Sequence, residues 1–369
     1  MTDAPIPLAD LKAGYLAAKP EIDAAIQRVL DSGWYILGQE VKAFEAEFAA
    51  FCGLAQAVGV ANGTDALVVA LRALGIGPGD RVATVSHTAV ATVAAIEMAG
   101  ATPVLVDIDS HFTMDPEDLA AVMAEAPVKA VIPVHLYGMP AAMPAILDIC
   151  ARAGAAVLED CSQAHGASLG GVQVGSFGPI AAFSLYPTKN LGAIGDGGVI
   201  ATGDAALAAR CRAIREYGWK ERYVSDETGV NSRLDELQAA ILRVKLRRLA
   251  ADNARRREIA AIYDQGLAGT RFATPAVRPG AVPVYHLYVI RVADRPAVQA
   301  ALKAQGIATN IHYPLAVHRQ KAYAGRLALG PSQLRRTEEV APEILSLPMF
   351  PELTDAQAHR VVAALRALA

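Results

Sequence analysis

Two side chains in this sequence are badly placed for a passive role. Lys189 lies in Phe183-Ser184-Leu185-Tyr186-Pro187-Thr188-Lys189-Asn190, a loop wedged between apolar strands and glycines. Asp160 closes the apolar run Ala155-Ala156-Val157-Leu158 and opens Asp160-Cys161-Ser162-Gln163-Ala164-His165-Gly166. An amine and a carboxylate so placed suggest pyridoxal phosphate (PLP) chemistry. The amine would form a Schiff base with the cofactor's aldehyde carbon, and the carboxylate would hold the protonated pyridine nitrogen. Lys189 would then be displaced by a donor amine and serve as general base, which requires an accessible neutral form; partial burial favours one. Alone, Lys189 reads better as a lysine that snorkels from a loop, and Asp160 fits the common role of a capping or turn aspartate. The pair carries the argument.

Such a cofactor needs further contacts. Gln163, three residues beyond Asp160, could hydrogen-bond the side of the ring hydroxyl. Asn62-Gly63-Thr64-Asp65 follows a strand and opens a helix, so free backbone N–H groups there would face a phosphate. Gly63 allows close approach, Thr64 adds a hydroxyl, and the Asp65 carboxylate must point away. Ser184 is a second phosphate donor. His87, just after a strand, either stacks over the pyridine face or packs in the core. Tyr186, His312, Tyr313 and His318 are candidate substrate contacts, with structural roles as the alternative.

The elements that must position these residues follow from periodicity. Helical spacing recurs in Glu21–Asp31 and Glu40–Cys52, each followed by a glycine. Short apolar runs then alternate with Ala-rich helices. Strands are expected at Ala57–Val60, Arg81–Val85, Pro103–Val106, Ala130–Val134, Ala155–Leu158, Ala181–Ser184 and Gly198–Ala201. Seven such runs imply a mostly parallel sheet covered on both faces, with ligand-binding loops at the strand carboxyl ends. Asn62-Gly63-Thr64, His87 and Asp160 should meet on that rim. A long helix is expected from Ser232, capped with Asp235, to about Asp264. Beyond residue 250 the pattern changes to a smaller α+β domain: an alternating run Val284–Arg291, then helices at Arg295–Gln305 and Thr354–Leu368. The domains are therefore expected at 1–250 and 251–369.

Composition narrows the partners. The chain has 369 residues, 53% hydrophobic, and 34 basic against 37 acidic side chains for a net charge of −3. That balance argues against a nucleic-acid surface, and Arg243–Arg248 with Arg255–Arg257 reads as a solvated helix face. The four cysteines (Cys52, Cys150, Cys161, Cys211) form no C-x-x-C pair, so neither a metal site nor a disulfide framework is expected. Met1-Thr2-Asp3-Ala4-Pro5 lacks a signal-peptide pattern, and Glu97, Gly100 and Pro103 interrupt the longest apolar stretch. A reduced cytoplasmic setting is expected.

With these motifs in hand, the chain resembles the DegT/DnrJ/EryC1/StrS family of PLP-dependent sugar aminotransferases, nearly end to end. The likeness rests on Gly63–Leu67, Glu159–Gly166, Tyr186–Gly192, Gly195–Gly198, Asn231–Ala240 and Ile311-His312-Tyr313-Pro314. It implies an α/β aspartate aminotransferase (type I) fold, with Lys189 as the Schiff-base lysine and Asp160 as partner of the pyridine nitrogen. It also implies Gln163 beside the ring hydroxyl and Gly63, Thr64 and Ser184 on the phosphate. Asn231 would reach the neighbouring subunit's cofactor phosphate in a homodimer with shared active sites. Dehydratases of the family carry histidine in place of the lysine; here lysine implies amino transfer. The expected reaction is ping-pong: L-glutamate leaves its nitrogen on the cofactor, which then aminates a keto-deoxyhexose linked to a nucleoside diphosphate, with dTDP the expected nucleotide. Tyr186–Gly198 and Ser86-His87-Thr88 resemble the enzymes acting on 3-keto sugars. A 4-keto substrate is the first alternative, and a non-catalytic regulator on the same fold the second.

Overall fold

The computed structural model describes residues 4–369, so Met1–Asp3 of the stretch read for a leader lie outside it. Three helices, α1 (Leu11–Leu16), α2 (Lys19–Ser32) and α3 (Gln39–Phe51), precede the sheet. Gly33 ends α2 in the left-handed region, at φ 64°, where a Cβ would be strained. The seven expected strands all form: β1 (Gln56–Val60), β2 (Arg81–Val85), β3 (Thr102–Val106), β4 (Ala130–Ile132), β5 (Ala156–Asp160), β6 (Ile180–Ser184) and β7 (Gly198–Thr202). The crossovers include α4 (Gly63–Ala73), α5 (Val90–Met98), α6 (Pro116–Glu125) and α7 (Met143–Ala153).

After α8 (Ala205–Ile214), the chain forms α9 (Glu236–Leu246), α10 (Leu249–Leu267), β8 (Tyr288–Arg291), α11 (Arg295–Ala304), β9 (Ala328–Leu329), α12 (Arg335–Val340), β10 (Ile344–Leu347) and α13 (Asp355–Arg366). The main sheet runs β1-β7-β6-β5-β4-β2-β3-β9. Only β7 is antiparallel to its neighbours. Alternation along the strands supplies two cores. Ile180 and Ala182 face a layer with α4, α5 and α8, whereas Ala181 and Phe183 face Phe44 and Phe48 of α3. This is the α/β type I architecture that was expected, covered on both faces.

Four expectations need correction. The sheet has eight strands, because β9 adds a parallel edge beside β3; at two residues it is too short to leave a period in the sequence. The long helix is two. Ser232 does not cap it, since its hydroxyl donates to Asp65 at 2.6 Å. The axis breaks between α9 and α10 because they pack on different partners: Ala240, Ile241 and Val244 meet α2, while Ile259, Tyr263 and Leu267 join the core of β8, β10 and α13. Of the alternating run, only Tyr288–Arg291 is a strand, paired with β10. Residues 284–287 instead lie against Gly138 and Tyr137, with Val284 N–H donating to Gly138 O at 3.1 Å. Finally, the basic cluster is not simply solvated: Arg243 pairs with Glu40 and Glu47, and Arg256 is buried, donating to Tyr285 O and Met349 O. All four cysteines are free and buried.

One buried acid fixes the end of β5. Glu159 accepts N–H bonds from Gly175, Phe177 and Gly178, each at 2.8 Å. His135 faces it at 3.1 Å. Ala141 N–H donates to His135 Nδ1 at 3.0 Å, so Nε2 carries the ring hydrogen and donates it to Glu159. Cys161 lies close enough to complete a metal-ligand trio with these two. On Glu159 and His135 the lone pairs a metal would need are, however, already engaged, and burial raises the Cys161 thiol well above its ordinary pKa, which keeps it protonated. Glu159→Gln turns an amide N–H₂ toward backbone donors; we expect a loss of about 3 kcal/mol in urea unfolding.

Candidate active site

A cavity of about 540 Å³ opens at the carboxyl ends of β1, β2, β5 and β6. Its lining includes Gly63, Thr64, Asp160, Gln163, Ser184, Tyr186 and Lys189, so seven of the residues singled out in the sequence meet in one place. Tertiary packing brings them there. The loop carrying Lys189 is fixed by Ala193 N–H to Leu185 O at 2.7 Å, Lys245 Nζ to Gly192 O at 2.6 Å, and Asn190 Nδ2 to Asn253 Oδ1 at 2.8 Å. Burial pushes the Lys189 amine down to about 8, with the Asp160 charge opposing that fall. A substantial neutral fraction is then available near neutral pH.

Asp160 is buried, and both of its carboxylate oxygens are held: Oδ1 by Ser162 N–H at 3.1 Å and Oδ2 by the Thr92 hydroxyl at 2.9 Å. Also lining the cavity, Asn62 caps α4 by accepting from Asp65 N–H at 2.8 Å. The N–H groups of Gly63 and Thr64 belong to that first turn, where the helix itself supplies no acceptors. A Cβ on Gly63 would stand 2.5 Å from Ser184 Cβ, so only glycine closes this cradle beside the serine hydroxyl. The Asp65 carboxylate, the complication foreseen in the sequence, is tied back by Ser232.

Other expected residues sit elsewhere. His87 is buried outside the cavity lining, with Nε2 at 2.8 Å from Tyr137 Oη. Burial lowers its pKa to about 4, which keeps it neutral. His318 is likewise outside the lining: its ring bridges Ser86 Oγ, at 2.7 Å, and Glu338, at 2.5 Å, clasping the C-terminal region to the end of β2. His312 and Tyr313 do not line the cavity but are tethered at its edge. Tyr137 donates its hydroxyl to His312 O, and Gln163 Nε2 donates to Tyr313 Oη at 3.0 Å. The Gln163 oxygen is occupied by Tyr137 N–H at 2.7 Å, so its amide is a wall tie as well as a lining group. Asn231 is exposed and does not line this chain's cavity.

Sequence reasoning missed Thr88 and Thr92, which line the cavity and are buried. Thr88 was read only as part of Ser86-His87-Thr88, and the signal for Thr92 was a hydroxyl within the otherwise apolar Val90–Ile96 segment. It also missed Tyr137, which binds His87, Gln163 and His312 from a backbone at φ 59°.

The chain matches the model of the DegT/DnrJ/EryC1/StrS aminotransferase family over residues 17–366. It belongs to that family. DegT-family aminotransferases are PLP-dependent. The chain is 48% identical to the dTDP-3-amino-3,4,6-trideoxy-alpha-D-glucose transaminase of Streptomyces venezuelae, over 98% of this chain and 95% of that protein. It is 45% identical to the UDP-N-acetyl-3-dehydro-alpha-D-glucosamine 3-aminotransferase of Acidithiobacillus ferrooxidans, over 98% and 97%. The crystal structure of S. venezuelae DesV in complex with a ketimine intermediate superposes with a TM-score of 0.96 at 48% identity, covering 99% of both chains.

The cavity fits the family cofactor in each chemical requirement: a glycine cradle for phosphate, an oriented carboxylate and an amine of lowered pKa. Because the Lys189 pKa is depressed below the ordinary 10.5, its charged form is penalised by folding. The penalty is absent above pH 10.5, grows as pH falls toward 8, and is complete below 8. Cofactor-free Lys189→Met should therefore be more stable than cofactor-free wild type at pH 7, by up to about 3 kcal/mol, and the gap should close between pH 8 and 10.5 in thermal melts. Gly63→Ala should weaken PLP binding more than tenfold, roughly, by fluorescence titration, since the new Cβ meets Ser184 in the phosphate cradle.

Proposed function

We propose that this aminotransferase moves an amino group from L-glutamate to the 3-keto group of a deoxyhexose linked to a nucleoside diphosphate, dTDP by preference, in deoxyaminosugar and surface-polysaccharide biosynthesis. The observation that carries the reading is Lys189 and Asp160 lining one cavity together with the Gly63–Ser184 cradle. Names of similar enzymes supply the substrate class: both relatives above act on carbon 3 of a sugar nucleotide, one with dTDP and one with UDP. PLP, when bound, supplies an aldehyde that accepts the amino group and a ring that draws off electrons. The protein's part is then assigned residue by residue. Gly63, Thr64 and Ser184 bind the phosphate. Asp160 holds the ring nitrogen. Lys189 anchors the cofactor and, once released, moves the proton between the donor's α-carbon and the cofactor.

Tyr186, half exposed at the mouth, is positioned to meet the sugar; His312 and Tyr313 complete that edge. Asn231, exposed and outside its own cavity, suits the role of completing the site of a second copy in a homodimer. The exposed Trp34, Tyr35 and Ile36 are apolar surface of the kind a second copy would cover. We place the enzyme in the cytoplasm; among the described residues no helix is long and apolar enough to cross a membrane. A 4-keto substrate draws no comparable support. A purely regulatory role would leave the lowered amine and the held carboxylate without use.

The test is a half-reaction. PLP-loaded protein mixed with L-glutamate should lose its visible band and release one 2-oxoglutarate per subunit. Borohydride reduction before glutamate should leave a phosphopyridoxyl group on the peptide containing Lys189. Full turnover by Lys189→Ala, or no cofactor band after loading, would contradict the proposal.

A further inference from the structure

The two oxygens of Asp160 are held by different donors, and one of them heads a directional chain. Thr92 has a single hydroxyl hydrogen and gives it to Asp160 Oδ2 at 2.9 Å. The 3.1 Å contact between the Thr88 and Thr92 hydroxyls must then run from Thr88 to Thr92. The order of donation is Thr88, Thr92, Asp160. Both threonines are buried, at 2% and 1% exposure, and both line the cavity. Thr92 is the third residue of α5, a helix otherwise apolar through Ile96. A buried helical threonine commonly bonds back to a carbonyl of its own preceding turn. This one reaches across to the end of β5.

Each donor to a carboxylate stabilises its charged form and lowers its affinity for a proton. A carboxylate facing a pyridine nitrogen shares one proton with it, and the weaker base yields that proton to the stronger. Only a ring that keeps the proton is an effective electron sink. We propose that Thr92, backed by Thr88, is a positioning residue that keeps the proton shared between Asp160 and the cofactor's pyridine nitrogen on the nitrogen. This rests on the reading of Asp160 as that nitrogen's partner. Ser162 N–H on Oδ1 acts in the same direction. The other ionisable groups that interact with Asp160 are Lys189, Cys161 and Tyr313, and none of them is altered by changing Thr92.

Thr92→Val keeps the shape and removes the hydroxyl; Thr92→Ser keeps the hydroxyl. Each cofactor-free protein, with wild type and Asp160→Asn beside it, is loaded with PLP enriched in ¹⁵N at the ring. The ¹⁵N chemical shift and the PLP dissociation constant are then measured. Wild type and Thr92→Ser should show the protonated-ring shift. Thr92→Val should move toward the unprotonated position and bind PLP about tenfold more weakly, the usual scale for a hydrogen bond to a charged group. Asp160→Asn should reach the unprotonated position. Thr92→Val matching wild type in both readouts, with Asp160→Asn shifted, overturns the proposal and leaves the Asp160 assignment standing. Equal displacement in Thr92→Ser overturns it too, since the hydroxyl would then not be the cause. Asp160→Asn retaining the protonated shift overturns the assignment beneath it.

Discussion

The site depends on holding an amine and a carboxylate in one desolvated cavity without letting either settle into a neutralising pair. Burial presses Lys189 toward its neutral form, while the Asp160 charge pulls it back. The balance leaves an amine that can be neutral near the working pH and a carboxylate whose oxygens are already engaged. Neither condition would hold in water, where the lysine would stay charged and the carboxylate would be solvated from every side.

The surrounding scaffold is arranged so that each acid near the site has its donors supplied. Glu159 points away from the cavity and collects three backbone N–H groups and His135, which pins the end of β5 and the loop before β6. Asp65 is held by Ser232, whose oxygen also accepts from Ala61 N–H at 3.0 Å; the cradle after β1 is thereby joined to the segment leading into α9. Asp160 takes the remaining arrangement, donors on one side and cavity on the other. Three neighbouring carboxylates thus play separate parts because their partners differ. From the other side, Tyr137 and Gln163 tie the His312–Tyr313 segment to the cavity wall.

Much of this was legible in the chain. Short apolar runs bounded by turn residues located all seven principal strands, because strands buried on both faces leave continuous apolar segments. Asp160, Gly63 and Lys189 were legible because a charged or glycine residue at the end of such a strand, or in the loop after it, is conspicuous, and Ser184 because a hydroxyl closes an apolar strand beside them. What escaped was whatever depends on partners distant in sequence. The hydroxyl of Thr92 is unremarked until β5 is set beside α5. His87 and His318 looked like site residues because they follow the strand rim in sequence or lie near Ile311–Pro314. Their rings are consumed by Tyr137, Ser86 and Glu338. The single long helix failed for the same reason: its two halves carry continuous helical periodicity but bury their stripes against different layers. The two-residue edge strand β9 is shorter than any period can register.

The central claim concerns which carbon receives the nitrogen, and the regiochemistry of the product tests it most directly. The purified, PLP-loaded enzyme would be offered 3-keto and 4-keto deoxyhexoses linked to dTDP and to UDP, each with L-glutamate, and the products assigned by NMR and mass spectrometry. A new amine on carbon 3 is expected. Amination on carbon 4 alone would contradict it.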